Sequence, residues 1–133
     1  MKTKEAGEKI IVNIVSFGYK HGIPEDSHIV FDVRFLPNPY YISEMKNRTG
    51  LDSDVSGYVM SFDEAKVFFE KLTDIAEYLV SLYEKSRKKC VRISIGCTGG
   101  HHRSVTIAQE LSKVLENKGY NVSVNHRDLE KEV

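Results

Sequence analysis

The residues with the clearest chemical potential lie in one short segment, IGCTGGHHRSV, from Ile95 to Val105. A β-rich run ends there in two glycines, Gly99 and Gly100, and a helical pattern begins at Ser104. Glycines permit positive φ and bring the backbone close to a ligand. The first amides of a helix lack helical partners and carry the positive end of its dipole. The segment therefore predicts an anion-binding turn of the kind that holds phosphate.

The side chains of this turn add donors suited to phosphate oxygens. Arg103 offers a planar guanidinium fork, and Thr98 and His102 stand close to it in the sequence. The alternative is a tight strand-to-helix turn whose glycines serve geometry alone. Neither G-x-x-x-x-G-K-S/T nor G-x-G-x-x-G occurs in the sequence, so a nucleotide-hydrolysing centre is not supported. No cofactor is predicted.

A catalytic interpretation of the same segment stays open. Cys97, Arg103 and Ser104 form the pattern C-x-x-x-x-x-R-S, which resembles the signature loop of cysteine-dependent phosphatases. A thiol near a helix N-terminus and an arginine is expected to have a lowered pKa and to act as a nucleophile. Asp32 and Asp128 are the candidate general acids. The alternative for Cys97 is a small buried residue at a strand end, and non-catalytic binding is favoured.

The histidines do not form a metal-binding pattern. His101 and His102 are adjacent, so on a helix they point in different directions. His21, His28 and His126 are far apart in the sequence, and the paired spacing typical of zinc ligands is missing. No metal site is predicted.

Apolar periodicity predicts four short strands and two helices that position these residues. Ser61 and Glu64 form a capping box at the start of the first helix, and Gly119 fits the left-handed position after the second. The stretch from Tyr41 to Tyr58 is predicted to hold a short helical turn and otherwise loop. The predicted strands are Ile10–Val15, Ile29–Phe35, Val91–Ile95 and Val122–Val124, and the predicted helices run from Ser61 to near Ser86 and from Ser104 to Asn117.

The order β, β, α, β, α, β predicts an α/β fold, a small and mostly parallel sheet of about four strands with helices packed on it. Polar residues follow each predicted strand, and in a parallel sheet these loops emerge together at the carboxyl edge. The sequence therefore predicts one cationic pocket there. Its candidate ligand-binding residues are Gly18, Lys20, His21, Arg34, Asn38, Thr98, Gly99, Gly100, His102, Arg103 and Ser104.

Length and composition restrict the remaining possibilities. The 133 residues predict one ligand-binding domain over residues 10–133, preceded by a flexible polar tail over residues 1–9. Lysine plus arginine and aspartate plus glutamate each total 19, which disfavours a general nucleic-acid binder. Two cysteines without a secretory signal predict a reduced, cytoplasmic protein. No apolar run approaches the roughly 20 residues of a membrane helix.

Four stretches together resemble one known family, the C-terminal domain of the RapZ/YvcJ proteins. They are SFGYKHGIP, FDVRFLPNPYY, IGCTGGHHRSV and HRDLEK, within a resemblance that runs from about Ile10 to Lys131. The resemblance implies an α/β domain similar to a sugar-phosphate-binding half of phosphofructokinase. It also implies sensing of glucosamine-6-phosphate and presentation of small regulatory RNA to a ribonuclease. The positions matching the family's pocket are His21, Thr98, Gly99, His102 and Arg103, with Arg34 and Asn38 nearby.

Two features depart from the family pattern. The family's N-terminal domain carries a Walker motif that this sequence lacks, so nucleotide hydrolysis is not carried over. RNA-binding members end in a strongly basic tail, whereas this sequence ends in EKEV. The predicted partner is therefore a small phosphorylated metabolite. RNA or a ribonuclease is a second candidate, with His126 and Arg127 as the contact residues, and a homo-oligomer is a candidate assembly.

Overall fold

Four parallel strands form the centre of the fold in the computed structural model, which describes residues 9–132. The flexible tail predicted for residues 1–9 therefore lies outside the described residues, apart from Lys9. Short 3-10 turns occur at Tyr19–His21 and Pro39–Tyr41. The strands are β1 (Ile11–Gly18), β2 (Ile29–Asp32), β3 (Cys90–Cys97) and β4 (Asn121–His126), and the helices are α1 (Ser53–Met60), α2 (Asp63–Lys85) and α3 (Arg103–Asn117).

The strands pair in the order β2-β3-β1-β4, and every pairing is parallel. The two central strands, β1 and β3, are buried over most of their length. One face carries the apolar core residues, whereas Arg92 and Ser94 on the other face bond to the loop before β2. Ile14, Ile93 and Leu111 are among the fully buried side chains that join the sheet to α3. The predicted α/β fold with a small parallel sheet is confirmed.

Strand lengths differ from the predictions where polar residues take part in the ladder. β1 continues through Ser16 to Gly18 because its end pairs with β3, Gly18 lying opposite Cys97. β2 stops at Asp32, three residues before the predicted end. Asp32 accepts hydrogen bonds from the backbone and side chain of Arg34, which turns the chain away from the sheet.

The predicted start of the first helix was wrong. Ser61 does not cap α2, because the Ser61 hydroxyl donates to the Tyr58 carbonyl at the end of α1. Helix α2 begins at Asp63 with Phe62 as its N-cap, and no side chain caps it. The short helical turn predicted within Tyr41–Tyr58 corresponds to the two-turn helix α1, which extends two residues beyond that stretch and whose Val55 and Val59 are fully buried. The end of α2 before Ser86, the extent of α3 and the positive φ of Gly119 agree with the predictions.

The end of β1 and the turn after β3 approach each other closely at three glycines. A Cβ on Gly18 would lie 2.4 Å from the carbonyl carbon of Gly99. Gly100 has a φ of 81°, and a Cβ there would lie 2.6 Å from the Gly18 nitrogen. Backbone therefore packs directly on backbone beneath the carboxyl edge of the sheet.

We expect Gly18→Ala to destabilise the protein by about 1–3 kcal/mol, because the added methyl group overpacks this contact. Gly57→Ala is the matched control, since a Cβ at Gly57 in α1 meets no atom within 4 Å. That control should be neutral or stabilise by up to about 1 kcal/mol. Urea denaturation followed by circular dichroism measures both, and equal stability of the two variants would contradict the packing argument.

Candidate functional site

A cavity of about 220 Å³ opens at the carboxyl edge of the sheet. Three segments form its walls: the turn after β1, the loop after β2 and the β3–α3 turn. Because the strands are parallel, all three segments follow strand ends at the same edge of the sheet. The lining residues are Lys20, Asn38, Tyr40, Tyr41, Cys97, Thr98, Gly99, His101, His102 and Arg103.

The β3–α3 turn forms the floor of this cavity. Among residues 9–132, the backbone N–H groups of Gly99, Gly100 and His102 make no hydrogen bond to another backbone group. His102 is the N-cap of α3 and makes no side-chain cap bond. The 15-residue α3 therefore begins at the cavity with its first amides uncapped, where the helix dipole favours an anion.

Arg103 joins this turn to the loop after β2. Its side chain is 5% exposed, and one terminal nitrogen donates to the carbonyls of Arg34 and Leu36 at 2.5 and 3.1 Å. The other terminal nitrogen lies 3.4 Å from the Thr98 hydroxyl, and Nε has no partner in the described chain. The guanidinium thus fixes the cavity wall and places a buried positive charge beside the floor.

The adjacent histidines hold two different segments against the cavity. His101 Nε2 lies 2.6 Å from the Lys131 carbonyl, and His102 Nε2 lies 3.1 Å from the Met45 carbonyl. Burial lowers the pKa of His102, so its ring is neutral at pH 7 and Nε2–H donates to Met45. His102 therefore contributes a ring edge to the cavity rather than a charge.

The structure brings together six of the eleven ligand-binding residues expected from the sequence. The other five do not line it. Gly18 and Gly100 pack against each other, and Ser104 Oγ lies 3.2 Å from Cys97 Sγ. His21 contacts the Glu132 carbonyl at 3.2 Å, and Arg34 forms an ion pair with Asp32. The six lining residues are Lys20, Asn38, Thr98, Gly99, His102 and Arg103.

Sequence reasoning did not place Tyr40, Tyr41 and His101 in the ligand-binding set. The two tyrosines reach the cavity because Asn38 and Pro39 set a 3-10 turn, in which the Asn38 side chain accepts from the Tyr40 amide at 3.1 Å. The sequence signal for this turn is Asn38 followed by Pro39 within PNPYY. The Tyr41 ring is 82% exposed and forms an open wall.

The two residues predicted for RNA or partner contact are bound within the domain. His126 Nδ1 lies 2.6 Å from Ser16 Oγ, and Nε2 lies 2.8 Å from the Gln109 side-chain oxygen. Arg127 forms an ion pair with Asp128 and donates to the Gly22 carbonyl at 2.6 Å. Both side chains support the turn after β1.

Asp128 is a fully buried carboxylate that holds this turn. Its Oδ2 accepts from the Gly18 backbone N–H at 2.7 Å, and its two oxygens also pair with Arg127 and Lys131. Burial acts to raise the pKa of Asp128, but these hydrogen bonds outweigh it and keep the pKa well below its usual range. These contacts of Asp128, which we call the Asp128 clamp, hold Gly18 in place. They thereby fix the backbone contact of Gly18 with Gly99 and Gly100 beneath the cavity.

The geometry favours binding over phosphatase chemistry. Cys97 lines the cavity but is buried, and its nearest polar contact is the Ser104 hydroxyl. A general acid must carry a proton near neutral pH. The hydrogen bond from Arg34 lowers the pKa of Asp32, and the pKa of Asp128 is also lowered, so both are carboxylates.

Residues 9–132 contain neither a metal-binding cluster nor a membrane-spanning helix. In that range no three histidine, cysteine or acidic side chains are grouped closely enough to hold a metal ion. None of the helices described there combines the length and apolar character needed to cross a membrane.

Comparison with known families decides the classification. The family model described as the RapZ C-terminal domain matches residues 10–130, which is nearly the whole chain. The chain belongs to the RapZ C-terminal domain family. The resemblance seen in the four sequence stretches is confirmed, and the cavity of this RapZ-type domain lies between three of them.

Several curated relatives carry this domain as part of a longer protein. A nucleotide-binding protein of Clostridium acetobutylicum is 52% identical over 125 residues, covering 94% of this chain and 42% of its own length. Proteins of the same name from Finegoldia magna and Caldicellulosiruptor bescii are 54% and 49% identical, and each matches over 44% of its length. The chain thus spans less than half the length of the relatives it matches.

We expect the stability of the RapZ-type domain to fall on acidification from pH 7 to pH 5. Burial lowers the pKa of both His102 and His126 below the ordinary value of 6.5. The unfolded chain therefore takes up protons in this window before the folded chain does, which favours unfolding as pH falls. Urea denaturation at pH 5, 6 and 7 measures the slope.

His126→Gln should make this dependence shallower, because the glutamine does not titrate while its amide can still bond Ser16 or Gln109. Circular dichroism at pH 7 first establishes that the variant is folded. An unchanged slope in His126→Gln would show that this buried histidine does not control acid stability.

Proposed function

We propose that the domain is a non-catalytic binding module for a small phosphorylated metabolite. The observation that carries the proposal is the uncapped start of α3 at the floor of the cavity, with the buried guanidinium of Arg103 beside it. Phosphate would bind to the amides of the Thr98–Ser104 turn, where the helix dipole and Arg103 both favour a negative charge.

The charges around the cavity support an anionic ligand. None of the lining residues that the structure describes is acidic, whereas Lys20 and Arg103 both contribute cations. Asp32 at the end of β2 is paired with Arg34, which offsets its charge. The buried charge of Arg103 acts more strongly on an anion than it would in bulk water.

The size and walls of the cavity favour a compact ligand. Drug-sized ligands occupy pockets of roughly 300–1,000 Å³, so about 220 Å³ suits a single small metabolite. The Tyr40 and Tyr41 rings give it an aromatic wall, and Asn38 adds a polar group. A sugar phosphate combines these features, and the family resemblance suggests an amino-sugar phosphate such as glucosamine-6-phosphate.

The relatives are named nucleotide-binding proteins, but we do not extend nucleotide hydrolysis to this domain. The sequence contains no Walker motif, and the cavity is smaller than the usual range for larger ligands. An RNA-adapter role follows from resemblance alone. His126 and Arg127 do not favour it, because their side chains make contacts inside the domain.

We expect glucosamine-6-phosphate to raise the melting temperature in a saturable manner, and isothermal titration calorimetry to give one site per chain. Lys20→Met should weaken binding roughly tenfold by removing a cation from the cavity wall. Lys113→Met is the matched control, because it removes the same charge from an exposed position on α3 that does not line the cavity.

Three outcomes would contradict the proposal. Sugar phosphates and inorganic phosphate could all fail to bind, or both lysine variants could weaken binding equally. Hydrolysis of an aryl phosphate that disappears in Cys97→Ser would instead establish the phosphatase.

For RNA, a steep salt dependence of filter binding would support phosphate-backbone contacts, whereas absence of binding would exclude the adapter role.

A further inference from the structure

The segment that follows β4 is bonded to two of the segments that form the cavity walls. Residues 128–132 make up this segment, and we call them the strap. The Lys131 carbonyl oxygen lies 2.6 Å from His101 Nε2. The Glu132 carbonyl oxygen lies 3.2 Å from His21 Nε2. His101 lies in the β3–α3 turn and His21 in the turn after β1, so the strap connects two walls of the cavity.

The strap is firmly anchored at its start and lightly held after it. The Asp128 carboxylate is fully buried and accepts from the Gly18 backbone N–H at 2.7 Å. Residues 130–132 are exposed, so they gain little free energy from apolar burial. A surface segment of this kind detaches at low free-energy cost. The two histidine bonds therefore contribute much of what holds residues 130–132 in place.

His101 belongs to the cavity as well as to the fastening of the strap. Its side chain is one of the groups that line the cavity. It directly follows Gly99 and Gly100, whose backbone N–H groups make no hydrogen bond to another backbone group within residues 9–132. An anion bound to these amides would therefore share the cavity with the His101 ring.

The strap occupies the hydrogen-bond donor that His101 offers to such an anion. A carbonyl oxygen only accepts, so the hydrogen of the bond to Lys131 is on His101 Nε2. A neutral imidazole has a single N–H, and this one is already used. Hydrogen bonds to a charged phosphate oxygen are stronger than those to a neutral carbonyl. An anion in the cavity therefore competes with the strap for the His101 N–H.

We propose that His101 is a ligand-controlled switch, bonded to the strap in the free domain and to the anion in the loaded domain. The switch rests on the proposed function, because it requires an anion in the cavity. When the ring N–H turns to the anion, the Lys131 carbonyl loses its donor and residues 130–132 detach. Asp128 stays in place, since its bond to the Gly18 N–H does not involve His101. Occupancy of the cavity is thereby converted into release of the strap.

Carboxypeptidase Y digestion followed by intact-mass spectrometry measures this release in the 133-residue chain. Without ligand, His101→Phe should lose residues 131 and 132 about fivefold faster than the wild type, because it keeps a ring but lacks the N–H. His28→Phe is the matched control and should digest at the wild-type rate, since His28 bonds the Arg92 backbone N–H outside the strap. Circular dichroism checks that each variant is folded.

Ligand should release the strap of the wild type. Glucosamine-6-phosphate, and inorganic phosphate in a separate series, should accelerate digestion of the wild type roughly fivefold at saturation and leave His101→Phe unchanged. Calorimetry on the same samples reports whether the ligand is bound. A free peptide of sequence RDLEKEV controls for direct effects of phosphate on the protease.

The coupling must also act in the reverse direction, because linkage between two equilibria is reciprocal. His21→Phe removes the bond to the Glu132 carbonyl and leaves His101 intact. A looser strap competes less well for His101, so this variant should bind glucosamine-6-phosphate about threefold more tightly. Weaker binding would show that His21 contacts the ligand directly and would overturn the switch.

The remaining outcomes separate the switch from the proposed function. A ligand that binds in calorimetry without changing the digestion rate overturns the switch and leaves the binding function standing. Digestion of His101→Phe at the wild-type rate also overturns the switch alone. If neither glucosamine-6-phosphate nor phosphate binds in calorimetry, the binding function fails and the switch fails with it.

Discussion

The contact between the end of β1 and the β3–α3 turn is the constraint on which the rest of the site depends. Gly18 lies against Gly99 and Gly100 at distances that leave no room for a side chain. The buried carboxylate of Asp128 holds the Gly18 amide at 2.7 Å and fixes this contact from behind. Because the two strand ends are locked together, the first amides of α3 face a cavity with defined walls.

The polar groups around this contact divide into two functions. Arg103, Asp128 and His102 are buried and bonded to the protein, so they set the shape of the cavity. Lys20, Thr98 and Tyr41 are exposed at its rim. A buried charge that is paired or hydrogen-bonded is rigid, which suits a site that recognises one small anion.

The sequence predicted the order of elements and the edge at which the site forms, because hydrophobic periodicity and parallel topology act on long segments. It did not predict the start of α2, since the Ser61 hydroxyl bonds a carbonyl of α1 that local patterns cannot locate. The sequence predicted only a short helical turn where the two-turn helix α1 forms, because the burial of its two valines depends on tertiary packing. The Asp128 clamp joins residues 110 positions apart, so no local signal connects them.

Three consecutive residues of the β3–α3 turn bond main-chain carbonyls through their side chains. His101 bonds the carbonyl of residue 131, His102 that of residue 45, and Arg103 those of residues 34 and 36. Every amino acid has a main-chain carbonyl, so substitutions at these four acceptor positions leave the hydrogen bonds intact. The residues that supply these carbonyls can therefore be substituted without loss of the hydrogen bonds. Substitution of His101, His102 or Arg103 would remove them.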